Sequence, residues 1–288
     1  MNHKPMKILA VGASGRFGGL VVPELVRRGA AVRALIHDRT KEDQVRRHGA
    51  AETVVGDLTD RTSLDAALNG VDGVFYLAPA FLPHEADVGV AVVEAARAAG
   101  VRRFVFSSVI HPILSALGNH AGKAPVEEAL LTSGMEYVFL HPTVFFQNFT
   151  PAWPRIVQEG VLAEPWSAES RFSRVDYRDV AEAAAIAFTE DRLLYGSYEC
   201  CAEGWHDRHE VAAMIGGVLG RSIRAETVDP KRAAAGAGPG APALERMFAW
   251  YDQRGLMGNA LTLRAVLGRE PRTLRHFFEE LAAGEVAA

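Results

Sequence analysis

The feature that most constrains this chain is an apolar run that leads directly into three evenly spaced glycines. Segment 8–11 is apolar on both faces, as a strand buried inside a parallel sheet must be, and Gly12, Gly15 and Gly18 follow with the spacing G-x-x-G-x-x-G. Helix N-termini attract anions and glycine lets a phosphate approach their N–H groups, so the pattern indicates a dinucleotide-binding strand, turn and helix. Turns that bind no ligand also use glycine, so the motif alone does not establish a cofactor.

The composition is that of a globular protein. The 288 residues are 49% hydrophobic, which is enough for a sizeable core. A net charge of −4 without a basic arm disfavours direct binding to nucleic acid. No run approaches the roughly 18 apolar residues of a membrane span, and the N-terminus has no cleavable apolar leader. We therefore expect a cytoplasmic protein that does not bind membranes, and we leave a homodimer open.

The two cysteines, Cys200 and Cys201, are adjacent in the sequence. A disulfide between neighbouring residues would be strained, and two thiols alone lack the further ligands of a metal site. We expect both thiols to be reduced and predict no bound metal.

Strands and helices alternate over the first half of the chain. This alternation predicts an α/β fold with a Rossmann-type doubly wound parallel sheet and a smaller C-terminal α/β substrate lobe. We place an NAD(P)-binding Rossmann domain at 1–150 and the substrate lobe at 151–288, with strands and helices returning to the sheet around 173–202. The predicted strands are 31–36, 52–58, 71–78, 101–108 and 135–142, and the predicted helices are 87–100 and 125–133.

The C-terminal half has shorter elements. An alanine-rich helix is predicted to follow Asp176 or Asp179 as its N-cap, and a strand is predicted at 196–202. A helix is predicted at 207–219, and an aromatic-rich helix follows through 248–251. The small-residue segment 233–242 is predicted to be a mobile loop.

Several side chains after the predicted strands suit a dinucleotide. Arg39, helped by Arg16, His37 and Lys41, favours the 2′-phosphate of NADP(H) over NAD(H), whereas Asp38 is the acid expected for NAD(H). A solvated charged loop is the alternative interpretation. Asp57 could accept from the adenine amino group or cap the next helix. The other predicted cofactor residues are Ser14, Phe17, Leu58, Ala78, Pro79, Ala80, Ser107, Ser108, Pro142 and Thr143.

The chain resembles an NmrA-like atypical short-chain dehydrogenase/reductase over essentially its whole length. That resemblance implies either an NAD(P)H-dependent reductase of quinones or other small molecules, or a protein that binds NADP(H) without turnover and signals redox state to a partner. The motifs that carry it are the glycine-rich turn, Gly56-Asp57-Leu58, Ser107-Ser108, Lys123 to Glu128, Ser133 to Tyr137, and His141 to Phe149.

The chain departs from ordinary short-chain dehydrogenases at the proton donor. These enzymes use a Tyr-x-x-x-Lys pair, in which the lysine lowers the pKa of the tyrosine. Lys123 matches the family's lysine, but Asn119 stands four residues before it. We predict that Lys123 binds the nicotinamide ribose and that His120 is the substitute acid, although a structural His120 is the alternative. His84 and His111 are weaker candidates.

Aromatic residues of the C-terminal half could form a flat pocket over the nicotinamide, although aromatics in such numbers often belong to a core. The leading hypothesis is an NADP(H)-dependent oxidoreductase that transfers hydride to a quinone, enone, imine or similar conjugated small molecule. Such acceptors delocalise the added charge and need less help from a protein acid. The alternative is a non-catalytic NADP(H)-binding redox sensor that acts through a protein partner. The candidate pocket residues are Phe81, Phe145, Phe146, Trp153, Trp166 and Phe172.

Overall fold

The computed structural model describes residues 5–79 and 82–285, and it divides the chain into two units. Unit 1 contains the chain up to Ser115, Asn119–His141 and Val180–Tyr198. Unit 2 contains Ala116–Gly118, Pro142–Asp179 and the chain from Glu199 onward. The predicted domain boundary near residue 150 stays a prediction.

The described residues alternate between short strands and helices along the first half of the chain. The strands are β1 Lys7–Ala10, β2 Ala31–Ile36, β3 Glu52–Val55, β4 Gly73–Tyr76, β5 Arg103–Ser107, β6 Glu136–Pro142, β7 Val144–Phe145, β8 Val161–Glu164, β9 Arg174–Val175, β10 Gly196–Cys200 and β11 Arg224–Thr227. The helices are α1 Gly18–Arg27, α2 Glu42–Arg47, α3 Arg61–Leu68, α4 Glu85–Ala98, α5 Gly118–Ala121, α6 Ala124–Leu131, α7 Trp153–Glu159, α8 Tyr177–Thr189, α9 Arg208–Leu219, α10 Pro230–Ala234, α11 Ala241–Arg254, α12 Leu261–Leu267 and α13 Leu274–Ala283.

Seven strands form one sheet in the order β10-β6-β5-β4-β1-β2-β3. The pairings of β1 with β2 and β4, of β2 with β3, and of β5 with β4 and β6 are all parallel. The predicted Rossmann-type α/β fold is confirmed. Because the chain leaves β1 toward β2 on one side and later returns to β4 on the other, the carboxyl ends of β1 and β4 flank a crevice, where such sheets bind ligands.

The central strands are buried because helices cover the sheet. All four residues of β4 are buried, as are all five of β5. The helix α4 contacts both α3 and α6 beside an apolar core. That core includes Leu9, Val11, Leu64, Val74, Tyr76, Phe104, Phe106, Val126 and Leu130.

Unit 2 is built around its own apolar core. Two small parallel pairs, β8 with β11 and β7 with β9, accompany the helices. The helix α13 packs against α9, and its buried face supplies Leu274, Phe277, Phe278 and Leu281 to this core.

The prediction of a mobile loop at 233–242 is wrong. This segment contains the end of α10, a 3₁₀ stretch over Ala235–Gly240 and the start of α11. Asp229 caps α10 by accepting from the Lys231 backbone N–H at 2.9 Å, and alanine has the highest helix propensity. Gly238, with φ of 54°, bends the chain there.

Two predicted helix starts are found in the structure. Asp207 caps α9 in a capping box with Glu210, each side chain accepting from the other's backbone N–H. Asp176 precedes α8 and accepts from the Arg178 backbone N–H at 2.9 Å. Asp179 has a different role, because its buried carboxylate pairs with arginines 269 and 272.

Both cysteines are buried, and neither is in a disulfide in the described part of the chain. Burial raises the pKa of the Cys201 thiol to about 12, which makes it unreactive at neutral pH. Among the helices of the described residues, none combines the length and apolar character needed to cross a bilayer.

Candidate functional site

The glycine-rich turn connects β1 to α1 at the carboxyl edge of the unit 1 sheet. Gly12 has φ of 82°, and the Gly15 N–H donates to the Gly12 carbonyl oxygen at 2.9 Å. A Cβ on Gly18 would collide with that same oxygen. The turn is therefore so compact that two of its positions require glycine, and it presents backbone at the N-terminus of α1.

A cleft of about 490 Å³ opens beside this turn within unit 1. Leu35 and Leu58 supply apolar wall, and Asp57 supplies a carboxylate. These groups suit a purine ring with an amino group, and the turn beside them suits phosphate. The lining is Val11, Gly12, Ser14, Leu35, His37, Gly56, Asp57, Leu58, Thr59, Pro79 and Leu82.

Asp57 does not cap the next helix. Its Oδ1 accepts from both the backbone N–H and the hydroxyl of Thr59, each at 2.8 Å, and these bonds lower the pKa of the Asp57 carboxyl. Asp60 caps α3 instead, accepting from the backbone N–H groups of Thr62 and Ser63, each at 3.1 Å. Asp57 is thus an ionised acceptor held in place at the cleft.

The loop after β2 places His37, Asp38, Arg39 and Lys41 at the surface. Asp38 Oδ1 accepts from the Thr40 backbone N–H at 2.8 Å, which lowers the pKa of the Asp38 carboxyl. The carboxylate that would favour NAD(H) is therefore used in a local turn, whereas Arg39 extends from the same loop.

Other predicted cofactor residues occupy the ends of strands. Ala78 and Pro79 follow β4, and Ser107 is the buried last residue of β5. In unit 2, Thr143 is buried and its hydroxyl donates to the Ser173 carbonyl oxygen at 2.9 Å; Pro142 precedes it at the end of β6. Ala80 and Phe81 lie outside the described residues.

Lys123 precedes α6 and forms an ion pair with Glu85 of α4. The two side chains are each 11% exposed, so the pair lies mostly out of water. The buried hydroxyl of Tyr76 lies near this pair, and its pKa is raised by burial and secondarily by the charge of Glu85. The carboxyl edge thus holds one lysine with a fixed carboxylate partner.

His120 is fully buried in α5. Its Nδ1 lies 3.2 Å from the His111 carbonyl oxygen, and within the described chain its Nε2 has no hydrogen-bond partner. Burial lowers the pKa of His120 to about 4. Two other histidines named from the sequence, His84 and His111, stand in the left-handed region with φ of 54° and 52°.

Ser108, Glu127 and His141 form a network that sequence reasoning did not find. Ser108 Oγ donates to Glu127 Oε1 at 2.5 Å, and His141 Nε2 lies 2.9 Å from the same oxygen. Glu127 and His141 stand 14 residues apart on different elements. Glu127 and His141 both lie in motifs that carry the family resemblance, but nothing in those motifs assigned either residue a role.

The predicted pocket aromatics of unit 2 pack mainly against one another and other aromatics. Trp153 stacks on Phe278 with ring centroids 5.9 Å apart, and Phe146 lies 5.6 Å from Phe277. Phe146, Trp153 and Trp166 are each less than 10% exposed. Further ring contacts join Phe145 to Tyr177, and Trp166 to Phe172, Phe248 and Tyr251.

A separate cleft of about 340 Å³ within unit 2 was not predicted. Trp205 lines it and is 54% exposed, with its indole N–H donating to the Gly258 carbonyl oxygen at 2.9 Å. Leu261 and Arg264 lie on the same wall. Over residues 5–79 and 82–285, no three His, Cys, Asp or Glu side chains are placed to hold a metal ion.

Comparisons with known proteins place the chain in a family. The NmrA-like family model matches residues 4–281. An NAD(P)H azoreductase of Xenophilus azovorans is 31% identical, with 98% of this chain and 100% of the relative aligned. Quinone oxidoreductase 2 of Escherichia coli K12 is 25% identical, with 93% of this chain and 96% of the relative covered.

The fold is also that of solved structures. The triphenylmethane reductase of Citrobacter sp., solved in complex with NADP(H), superposes with a TM-score of 0.82 at 22% identity, covering 95% of this chain and 99% of the other. At this identity the likeness establishes the fold alone. Since the family model spans nearly the whole chain, the protein belongs to the NmrA-like family.

Proposed function

We propose that the protein is an NADP(H)-dependent oxidoreductase that reduces a quinone, enone, imine or similarly conjugated small molecule by hydride transfer. The observation that carries the proposal is the glycine-rich turn, where Gly18 has no room for a side chain and α1 begins with no acidic residue in its first turn. The azoreductase and quinone oxidoreductase relatives, which align over more than nine-tenths of this chain, support the reaction class.

The cleft beside the turn fits a dinucleotide by its chemistry. The N-terminus of α1 would hold the pyrophosphate, Leu35 and Leu58 would enclose the adenine, and Asp57 would accept from its amino group. When bound, the nicotinamide ring supplies the hydride, and the protein binds and orients it. A Cβ on Gly18 would meet the Gly12 carbonyl oxygen, so glycine at this position lets α1 begin directly against the turn that would hold the pyrophosphate.

The charged loop after β2 favours NADP(H) over NAD(H). Arg39 and Lys41 offer cations to a 2′-phosphate, and Arg16 stands at the turn. Asp38, the counter-argument, is bound to the Thr40 N–H and is less available to accept from a ribose hydroxyl. Arg39 and Lys41 are exposed, so ion pairs between them and the 2′-phosphate would be weak. They would give a preference for NADP(H) rather than strict selection of it.

Lys123 is proposed to hold the nicotinamide ribose. An ammonium group has three donors, so Lys123 can remain paired with Glu85 while it donates to a hydroxyl. The pair with Glu85 restricts the lysine side chain before the cofactor arrives. Ser107, at the end of β5, and the short side chains of Ala78 and Pro79 leave room for the sugar.

A conjugated acceptor is the substrate class that this site supports best. No tyrosine in the sequence has a lysine four residues later, so the usual phenolic acid is missing. His120 does not replace it well, because burial keeps its ring neutral near pH 7 and its Nδ1 faces the His111 carbonyl oxygen. Acceptors that delocalise the charge left by hydride addition need this acid least.

The test is calorimetric titration with NADPH, NADP⁺, NADH and NAD⁺, followed by NADPH oxidation with menadione, an azo dye and an enone. We expect tight NADPH binding and oxidation with at least one acceptor. Binding without oxidation across the panel would favour the redox-sensor alternative, which further requires different affinities for NADP⁺ and NADPH. Absence of binding would contradict the cofactor assignment.

The proposal includes a cytoplasmic location and a small-molecule substrate. Fractionation of cells that express the chain tests the location, and light scattering tests whether the protein is a homodimer.

A further inference from the structure

Three polar side chains to which the proposed function gives no part meet at the carboxyl edge of the unit 1 sheet. Ser108 follows β5, His141 stands near the end of β6, and Glu127 lies in the first turn of α6. The Ser108 hydroxyl and the His141 imidazole both approach Glu127 Oε1, at 2.5 and 2.9 Å. One carboxylate oxygen therefore connects a hydroxyl to an imidazole.

The network is enclosed but remains in contact with solvent. Ser108 is 5% exposed, and the side chains of Glu127 and His141 are each 13% exposed. The ring of Phe139, two residues earlier on β6, lies parallel to the His141 ring within 4°, with ring centroids 6.4 Å apart. The three groups form a continuous hydrogen-bonded path whose hydroxyl end is the most enclosed.

The elements beside this path carry other titratable groups. From α4, Glu85 faces α6, where it is paired with Lys123, and from β4 the buried Tyr76 has a raised pKa. The neighbouring histidines are His111 and His120, and His120 is held neutral by burial at neutral pH. The remaining acids of α4 and α6 are exposed, namely Asp87, Glu94 and Glu128.

We propose that Ser108 is the proton donor of the reduction and that Glu127 and His141 resupply it. The inference rests on the proposed function. Hydride forms a new bond on the acceptor and leaves an anionic atom; the Ser108 hydroxyl turns from Glu127 Oε1 toward that atom and gives it its proton. His141 imidazolium passes its Nε2 proton to Glu127 Oε1, and Glu127 passes it to Ser108 Oγ. Water then reprotonates His141, so one hydride from NADPH and one proton from solvent enter the product.

Acceptors that differ in their need for a proton separate this role from a structural one. An azo bond that accepts hydride leaves a strongly basic nitrogen anion, and menadione leaves a weakly basic phenolate. A cationic triarylmethane dye accepts hydride at its central carbon and needs no proton. A group that supplies protons affects these acceptors in that order, whereas a group that only holds the fold affects all three alike.

The experiment compares Glu127→Gln with Glu128→Gln, an exposed neighbour on the same helix. With saturating NADPH, we expect Glu127→Gln to lower the ratio of kcat on the azo dye to kcat on the cationic dye by about 100-fold. The ratio of kcat on the azo dye to kcat on menadione should fall by less. The Glu128→Gln control keeps both ratios at the wild-type values. Equal losses on all acceptors, or no loss, would overturn the proposal.

A second variant tests the source of the proton. His141→Gln keeps a hydrogen-bond donor toward Glu127 but cannot carry a proton. We expect His141→Gln to lower the ratio of kcat on the azo dye to kcat on the cationic dye, because the path then lacks the group that resupplies the proton. An unchanged ratio in His141→Gln would exclude His141. If the wild-type protein reduces none of the acceptors, the proposed function itself fails, which is a different result from equal losses in the variants.

Discussion

The two edges of the unit 1 sheet use charged side chains in opposite ways. At the amino ends of the strands, Glu52 of β3 pairs with Lys7 of β1 and Arg33 of β2 at 2.8 and 2.7 Å. On the other side of the sheet, Arg103 at the start of β5 pairs with Glu136 at the start of β6 at 2.7 Å. Each of these ion pairs connects two strands of the sheet, and only the pair of Lys7 with Glu52 spans an intervening strand, β2.

The carboxyl edge has fewer such connections. His37, Arg39 and Asp57 are exposed beside or near the nucleotide-sized cleft, and the hydrogen bonds of Asp57 come from the adjacent Thr59. Even the enclosed Ser108 reaches a partner on a helix rather than on a neighbouring strand. In a parallel sheet all amino ends share one edge, so strand-joining charges and ligand-facing charges are separated by chain direction.

The largest expected effect comes from Arg103→Ala at the amino edge. Arg103 is 2% exposed and donates to Glu136, to Asp191 and to the carbonyl oxygens of Ala187 and Phe188. Its removal leaves the carbonyl oxygens of Ala187 and Phe188 without this donor and leaves Glu136 with Arg102 alone, and we expect the free energy of unfolding to fall by about 3–5 kcal/mol. Urea denaturation measures this loss, and the NADPH affinity of the folded variant should match the wild type.

Arg102→Ala is the matched control. Arg102 pairs with the same Glu136 but is 56% exposed, so its removal should cost far less stability than removal of Arg103. Equal losses from the two variants, or weaker NADPH binding by folded Arg103→Ala, would contradict the separation between the edges.

His120 adds a buried titratable group to the comparison of the two sheet edges, because it lies near the carboxyl edge. Its pKa of about 4 in the folded protein lies below the usual 6.5, so the unfolded chain binds more protons between these values. Stability is therefore full above pH 6.5 and is lost toward pH 4, by up to about 3 kcal/mol. Unfolding measured across this range should show a smaller decline in His120→Gln, and parallel curves would show that His120 is not neutral in the folded state.

A substitution in the glycine turn should weaken NADPH binding, whereas Arg103→Ala should lower stability and leave that binding unchanged. In Gly18→Ala the new Cβ meets the Gly12 carbonyl oxygen, and relief of that contact shifts the turn. We expect NADPH binding to weaken by about 10- to 100-fold, corresponding to about 1–3 kcal/mol of overpacking. Calorimetric titration measures it. Gly236→Ala is the control, since a Cβ there meets nothing within 4 Å, and equal affinities of the two variants would argue against a phosphate-binding turn.

The sequence predicted the carboxyl edge better where the signal was local. The glycine turn, β1 and α1 are contiguous, so their spacing predicted the fold, which is confirmed, and an anion site, which stays a prediction. The pair of Lys123 with Glu85 spans 38 residues, and the contact of Arg103 with Asp191 spans 88. No local pattern records such partners, because they meet only after the sheet has assembled.

The aromatic residues show a second limit of sequence reasoning. Phe146, Trp153 and Trp166 are predicted from residue type to line a substrate pocket, which stays a prediction, and each of them contacts another aromatic ring in unit 2. Aromatic composition does not distinguish a cavity wall from a core, because both need large apolar rings. Trp205, which lines a cleft, stands alone in the sequence among polar and small residues and gave no such signal.

Lys123→Ala tests the enclosed part of the carboxyl edge. Loss of the proposed ribose contact should weaken NADPH binding by about tenfold, the value of one charge-assisted hydrogen bond. Lys231→Ala, at an exposed position of α10 in unit 2, is the control and should bind as the wild type does. Unchanged NADPH affinity in Lys123→Ala would show that Lys123 pairs with Glu85 but does not contact the ribose.

The smallest expected effect is at the exposed rim of the same edge. Arg39→Ala removes one solvent-exposed cation from the loop after β2, and such contacts are worth about 0.5–1 kcal/mol. We expect NADPH affinity to fall by about two- to fivefold while NADH affinity stays constant, since NADH lacks the 2′-phosphate. Because salt screens exposed charges, the difference between NADPH and NADH should shrink in concentrated salt. A variant that loses affinity for both cofactors equally would show that Arg39 supports the loop rather than reading the phosphate.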